Sequence, residues 1–338
     1  MVIIIPIVVK FVGAKKKPVV TRISTTTTTT TVSTAMTSIT GNVKNSMWKQ
    51  DGVTVAGGNG PGDRTDQLNS PLGFTIDDNL TLYIVEETNK RVIKWKFNAT
   101  NGEVIVGGIF PNEKLMRLAH PIDVVIDEND LIVCDFGNSL LIRLSYVNFD
   151  YELGFLLDCP CFSLAIDLHG TIFIVDVVGN AIKQWKKGEF QARIIAGGND
   201  RGNGLNQLNE PQYLGVDRDS SLYISDTFNN RIMKWIPDEK EGVIVAGEGA
   251  ENNLTDLAYP AGLILDDFDN IYVIDSGYVR VTRFALKSRE KTVIVGGSRA
   301  GNASYQLHDP QKILFDRYGN LYVADSFNHR IQKFYLNN

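Results

Sequence analysis

The sequence predicts an all-β fold: a six-bladed β-propeller of four-stranded antiparallel blades, closed by an N-terminal strand that completes the C-terminal blade. Three observations predict it. First, a short apolar run ends in an acid six times, at Glu86, Asp135, Asp176, Asp226, Asp275 and Asp325, spaced 49, 41, 50, 49 and 50 residues apart. A period of that length holds one small sheet, and sheets that cannot bury both faces alone stack on their neighbours around an axis. Second, an apolar strand broken by glycine follows most of these runs. Third, the two ends of the chain lack complementary parts of one repeat.

The innermost strand of each repeat is a short apolar run such as GFTID, DVVID or YLGVD, closing at Asp77, Asp127, Asp167, Asp217, Asp266 and Asp316. The middle hairpin follows, as in LYIVEETNKRVIKW from Leu82, LYISDTFNNRIMKW from Leu222, IYVIDSGYVRVTRF from Ile271 and LYVADSFNHRIQKF from Leu321. Its Tyr, Ile and Val suit pleated strands, and its Asn, Ser, Thr and Gly suit the turn between them. The outermost strand is EVIVGG ending at Gly108, RIIAGG at Gly198, GVIVAG at Gly247 and TVIVGG at Gly297, its glycines turning the chain towards the next blade. In the second repeat YELGFLLD, from Tyr151 to Asp158, lacks the double glycine, which predicts an irregular second blade. The sixth repeat stops at Asn338 without an outer strand, while GVTVAGG, from Gly52 to Gly58, stands before the first repeat without a blade. Joining the two removes two open sheet edges, and the propeller then spans residues 48–338.

DSFNHRIQKF from Asp325 to Phe334, the GNLYVAD before it and the IVGG strand at Val295 make the chain resemble the NHL-repeat β-propellers. The resemblance implies a propeller without choosing an activity, since members bind RNA or protein, sense extracellular signals, or act as a peptide-amidating lyase. The chain departs from the pattern at Glu86, at Leu140 and Ala181, where other blades carry Arg91, Arg231, Arg280 and Arg330, and between Cys159 and Phe162.

Composition narrows the partners. With 338 residues, 43% of them hydrophobic, the chain has material for a sizeable core. A net charge of −5 disfavours nucleic acid, whose non-specific capture needs cationic patches. Residues 1–47 form a separate segment, apolar from Met1 to Val12 and then threonine-rich, with Thr25 to Thr31 unbroken. Such a tract reads as a disordered stalk or linker, and the leading run with Lys15 to Lys17 as its flank reads as a truncated signal-anchor, too short to span a bilayer. Four sequons, at Asn79, Asn98, Asn253 and Asn302, fall in turns and loops where a glycan can be carried. They favour an extracellular or membrane-anchored ectodomain, with a cytoplasmic protein as the alternative. Cys134, Cys159 and Cys161 are an odd set. Cys134 ends the middle strand of blade two and Cys161 opens blade three, so one disulfide there would brace the irregular blades; a buried free thiol at Cys134 is the open alternative.

The six acids, Glu86, Asp135, Asp176, Asp226, Asp275 and Asp325, read as structural, because an acid before a tight turn accepts backbone N–H bonds and the Arg five residues later can pair with it. The histidines are His120, His169, His308 and His329. His120 and His308 precede Pro121 and Pro310 at the entries to inner strands, where a zinc or calcium site at the channel mouth would need them. There is no nucleophile elbow, phosphate loop or zinc-finger spacing, and the glycine-rich runs at Gly57 and Gly197 join strand to strand. The long polar inter-blade loops are the predicted binding elements, through Arg64, Asp66, Asp200, Arg201, Glu248, Glu251, Arg299 and Tyr305. The primary expectation is a monomeric, non-enzymatic binding module without cofactor, recognising a protein, peptide or glycan through one face and its loops. The alternative is a metal-dependent lyase or hydrolase resembling the peptide-amidating lyase, with an RNA-binding propeller third.

Overall fold

The computed structural model describes residues 48–108, 117–145, 151–156 (backbone only), 160–250, 254, 256–297 and 299–337. The N-terminal segment 1–47, Cys159, Glu251 and Asn253 lie outside them.

The chain forms a six-bladed propeller of four-stranded antiparallel sheets. The first strand in sequence is β1 (Val53–Gly57). Blade one then comprises β2 (Pro71–Ile76), β3 (Leu82–Glu86), β4 (Arg91–Trp95) and β5 (Glu103–Gly107). Blade two comprises β6 (Pro121–Asp127), β7 (Asp130–Asp135), β8 (Leu140–Ser145) and β9 (Tyr151–Leu156). Blade three comprises β10 (Cys161–Ile166), β11 (Ile172–Asp176), β12 (Ala181–Trp185) and β13 (Arg193–Gly197). Blade four comprises β14 (Tyr213–Val216), β15 (Leu222–Asp226), β16 (Arg231–Trp235) and β17 (Val243–Gly247). Blade five comprises β18 (Pro260–Leu265), β19 (Asn270–Asp275), β20 (Arg280–Ala285) and β21 (Glu290–Gly296). Blade six comprises β22 (Pro310–Phe315), β23 (Leu321–Asp325) and β24 (Arg330–Phe334), and β1 pairs antiparallel with β24 to complete it. The predicted closure is therefore the observed one.

Trp48 fixes the start of this closing segment. It is buried between blades five and six, stacked on Phe315 and edge-on to Tyr272, both at 5.7 Å, and its indole N–H donates to the Gly319 carbonyl at 2.9 Å. The rest of the core lies between adjacent blades, where the two faces of each sheet bury their alternating Ile, Val, Leu and Tyr side chains.

Two sets of acids hold the ring in shape. At the ends of the inner strands Asp77, Asp167, Asp217, Asp266 and Asp316 each accept two backbone N–H bonds from the following turn, as Asp316 does from Tyr318 and Asn320, both at 2.9 Å. In blade two the corresponding turn is tighter, with Asp127 opposite Asp130 in the ladder and Arg143 bonded to both carboxylates. At the opposite face of the ring Glu86, Asp135, Asp226, Asp275 and Asp325 receive backbone N–H groups from the segment leading into the inner strand. Asp176 instead accepts from Gly179 at 2.8 Å and pairs with Lys183 at 2.6 Å. Arg91, Arg231, Arg280 and Arg330 pair with the acids of their own blades. Burial pushes the carboxyls of Glu86, Asp226, Asp275 and Asp325 up, against the pull of these arginines.

The arginines also shape the loops. Arg231 donates to the carbonyls of Asn203, Gly204 and Gln207, and Arg330 donates to those of Asn302, Ala303 and Gln306. Arg91 does the same to Asp63, Arg64 and Gln67. Three of the long inter-blade loops are thus one repeated clasp. Cys134 and Cys161 form a disulfide between blades two and three, Cα to Cα 5.7 Å.

Candidate active site

The six inner strands superpose in sequence when each is counted back from its closing Asp. The residue four before that Asp is Gly73, Asp123, Ser163, Tyr213, Gly262 and Lys312 in turn. Alternation along a strand places every second side chain on one side, so these six positions form one tier around the bore. Two positions further on comes a second tier: Thr75, Val125, Ala165, Gly215, Ile264 and Leu314. Apart from its two glycines the first tier is polar and unlike from blade to blade, whereas the second is apolar apart from Thr75.

Within the first tier three strands meet at one carboxylate. Lys312 Nζ lies 2.5 Å from Asp123 Oδ1 and 3.3 Å from the Val124 carbonyl, and both side chains are buried. Asp123 Oδ2 accepts the Ser163 hydroxyl at 2.9 Å and the Leu164 backbone N–H at 3.0 Å, while Oδ1 also takes the Val124 N–H at 2.8 Å. Blade six reaches blade two across blade one because Gly73 has no side chain. A Cβ there would stand 2.4 Å from Asp123 Oδ1 and 2.6 Å from the Ile122 carbonyl. A buried pair of this kind needs both charges, since either one alone is stranded in a medium that solvates it poorly.

Tyr213 lies across the same level. It is buried, edge-on to Phe162 at 5.9 Å, and its hydroxyl faces Gln311 Oε1 at 3.4 Å, two blades away. Burial, helped by the carboxylates of Asp123 and Asp309, pushes its phenol well above the ordinary tyrosine value. It therefore stays a neutral hydroxyl at physiological pH. Gln311 is held in turn by its own donation to Asp309 at 2.9 Å, and burial raises the Asp309 carboxyl.

A cavity of about 340 Å³ stands on this tier. Lys312, Ser163 and Tyr213 line it at one end, the second tier walls it, and exposed Asp78 and Arg317 mark its mouth where the inner strands end. Asp123 is not among the lining residues and touches the cavity only through Lys312 and Ser163. The volume is at the lower end of the range for small-molecule sites, roughly 300–1,000 Å³. The arrangement offers a cation with an unused N–H, a hydroxyl already bonded to a carboxylate, and a neutral phenol, all in an apolar enclosure.

The residues singled out in the sequence lie elsewhere. His120 and His308 stand where the inner strands begin, at the face opposite the cavity mouth. His120 Nε2 is 3.0 Å from Glu87 Oε1, and His308 is edge-on to Phe327 at 5.1 Å. His169 lies in an outer cleft between blades three and four with Lys186 and Arg193. Among the described residues no group of three or more His, Cys, Asp or Glu side chains is placed to hold a metal ion. The one carboxylate in the channel tier is saturated by Lys312, Ser163 and two backbone N–H groups, so this donor set does not fit a resident zinc or calcium. Arg64 and Asp66 pair with each other at the surface, and Arg201 pairs with Glu210 at 2.9 Å. Asp200, Glu248, Arg299 and Tyr305 sit on three different loops, and Tyr305 is half exposed. Of the sequons, Asn79, Asn98 and Asn302 are exposed. No described helix is long and apolar enough to cross a membrane.

No protein-family model matches the sequence, and no curated protein matches it. Solved structures do match. An auxiliary nutrient binding protein from Bacteroides ovatus is 14% identical, with a TM-score of 0.63 over 87% of this chain and 78% of its own. Virginiamycin B lyase from Staphylococcus aureus is 14% identical, with a TM-score of 0.57 over 87% and 100%. A gluconolactonase from Xanthomonas campestris is 14% identical, with a TM-score of 0.60 over 86% and 99%. At these identities the likeness carries the fold. It also corrects two expectations. The NHL-repeat resemblance gives way, because no such family model matches and the similar rings include lyases, gluconolactonases and nutrient-binding proteins. The non-enzymatic, protein-binding reading gives way too. It rested on the lack of familiar catalytic motifs, whereas the similar rings include a lyase and a gluconolactonase that would escape such a search.

Proposed function

We propose that the chain is an enzyme that opens a small ester or lactone in the central channel without a metal ion. The observation that carries this reading is the Ser163–Asp123–Lys312 cluster at the inner end of an apolar cavity. Ser163 is the nucleophile: its Oγ attacks the carbonyl carbon while its proton passes to Asp123 Oδ2, 2.9 Å away. The Lys312 ammonium, with one N–H left after Asp123 and Val124, meets the oxyanion that forms. Collapse breaks the C–O bond, and the leaving oxygen takes a proton from the Lys312 ammonium, which Asp123 at once reprotonates across the 2.5 Å pair. Water then attacks the acyl carbon, its proton passing to Asp123 by way of Lys312, and Ser163 Oγ leaves with the proton that Asp123 Oδ2 returns to it, releasing the acid. Tyr213, held neutral by burial, supplies a hydrogen bond to the bound substrate.

Hydrolysis is favoured over elimination by placement. Asp123 sits behind Ser163 and Lys312, outside the cavity wall, where it can take a proton from Ser163 but not directly from a substrate carbon. The gluconolactonase among the similar structures supports a ring-opening reaction, and the Cys134–Cys161 disulfide supports work in an oxidising compartment.

The test is turnover of p-nitrophenyl esters and simple γ- and δ-lactones by the purified full chain, with and without EDTA. Hydrolysis that survives EDTA and falls roughly a hundredfold or more in Ser163→Ala and Lys312→Met is expected. Absence of turnover, or turnover indifferent to both variants, would overturn the proposal.

A further inference from the structure

The two tiers of the channel differ in a way that defines the substrate further. Beyond Lys312 and Ser163 the bore is walled by Thr75, Val125, Ala165, Gly215, Ile264 and Leu314. A Cβ at Gly215 would meet the ends of Leu265 and Leu263 at 2.7 and 2.8 Å, so this wall is closely packed where the glycine stands. The inner end of the cavity is the polar tier itself, where Tyr213 stands with Lys312 and Ser163 and packs edge-on to Phe162. A bound molecule therefore extends in one direction only, from the polar tier to the mouth beside Asp78 and Arg317.

We infer that the substrate is an aliphatic acyl compound whose carbonyl rests at the Lys312 tier and whose hydrocarbon chain runs along the second tier towards the Asp78 and Arg317 mouth. The inference rests on the preceding reading of the Lys312 tier as the place of reaction. The chain length follows from the strands. From Ser163 to Ile166, or from Tyr213 to Val216, is three residues, roughly 10 Å at about 3.3 Å each, room for an extended chain of about eight carbons. Longer chains emerge between Asp78 and Arg317 and gain nothing more from burial. A polar ring such as a sugar lactone matches the first tier but leaves the second tier's apolar wall against hydroxyl groups, which is unfavourable without partners.

Calorimetric titration of the full chain with butanoate, hexanoate, octanoate and decanoate tests this separately from catalysis, because a carboxylate needs only the Lys312 cation and the bore. Affinity should rise about fourfold for each added methylene, the factor that burying one CH₂ carries, up to octanoate and then level off. Ala165→Phe, which fills the bore at the second tier, should lower octanoate affinity at least tenfold, with Thr75→Phe on another blade as the second variant should the first misfold. Equal affinity along the series, or octanoate binding indifferent to both fillings, would overturn the inference even with esterase activity present. Graded binding with no hydrolysis would leave the acyl site standing and remove the catalytic reading instead.

Discussion

Lys312 of the sixth blade reaches past Gly73 of the first to place its ammonium 2.5 Å from Asp123 of the second. One side-chain pair ties blades six and two, and Ser163 and Leu164 of blade three bond to the same carboxylate. Because neither charge is solvated, the pair makes demands that a surface ion pair does not.

Removing one partner should therefore cost more than removing both. Lys312→Met and Asp123→Asn are each expected to lower stability by about 3–5 kcal/mol, since each leaves a buried group without its partner. The double variant should be less destabilised than either single one. Urea unfolding followed by circular dichroism gives the comparison, and additive losses would contradict it.

Gly73 should tolerate no side chain. A Cβ there meets the Asp123 carboxylate at 2.4 Å and backbone at 2.6 Å, and backbone gives way only by moving blade two. Gly73→Ala is expected to cost about 1–3 kcal/mol and to depress hydrolysis together with stability. The melting temperature and ester turnover of one preparation measure both.

His329 gives the ring a pH dependence at the junction of blades six and one. Its Nδ1 accepts the Ser70 backbone N–H at 3.2 Å, where the equivalent positions Asn180 and Asn230 accept from Glu210 and Tyr259. Burial lowers the imidazole below its ordinary value, while Asp325 pulls the other way. The unfolded state therefore takes up a proton first as pH falls. The stability that neutral His329 contributes is complete above about pH 6.5, the unfolded value, and is lost as pH falls through the lower folded value. His329→Asn should flatten stability against pH in that window, and the difference between the two urea curves isolates His329 from the ring carboxylates common to both. A curve of unchanged slope would refute the assignment.

The Cys134–Cys161 disulfide closes a sequence separation of 27 residues. Replacing both cysteines by alanine is expected to cost about 3–4 kcal/mol, the chain-entropy value for a loop of that length. Reductant should lower the unfolding midpoint of the natural chain and leave that of the double variant in place.

The fold was legible because a propeller repeats itself. The acids, the arginines five residues later and the glycine-ended strands do the same task in most blades, so they recur in the sequence at near-constant spacing. Even the closure by β1 followed from two missing parts. The channel tier was hidden for the converse reason. Gly73, Asp123, Ser163, Tyr213, Gly262 and Lys312 occupy one structural position and, the two glycines aside, share no chemistry, so a search for recurring residues passes over them. The signal was present: counting four residues back from each of Asp77, Asp127, Asp167, Asp217, Asp266 and Asp316 lists the tier directly. The long loops drew attention by their length and polarity. Their backbone carbonyls are occupied by Arg91, Arg231 and Arg330, a structural task that sequence spacing alone does not reveal.

The central claim is that Ser163 forms a covalent acyl intermediate in the channel, and mass spectrometry of the chain quenched during turnover of p-nitrophenyl octanoate tests it most directly. The expected result is a single octanoyl addition on the peptide that contains Ser163, absent from Ser163→Ala. Steady hydrolysis with no such addition, retained by Ser163→Ala, would contradict it.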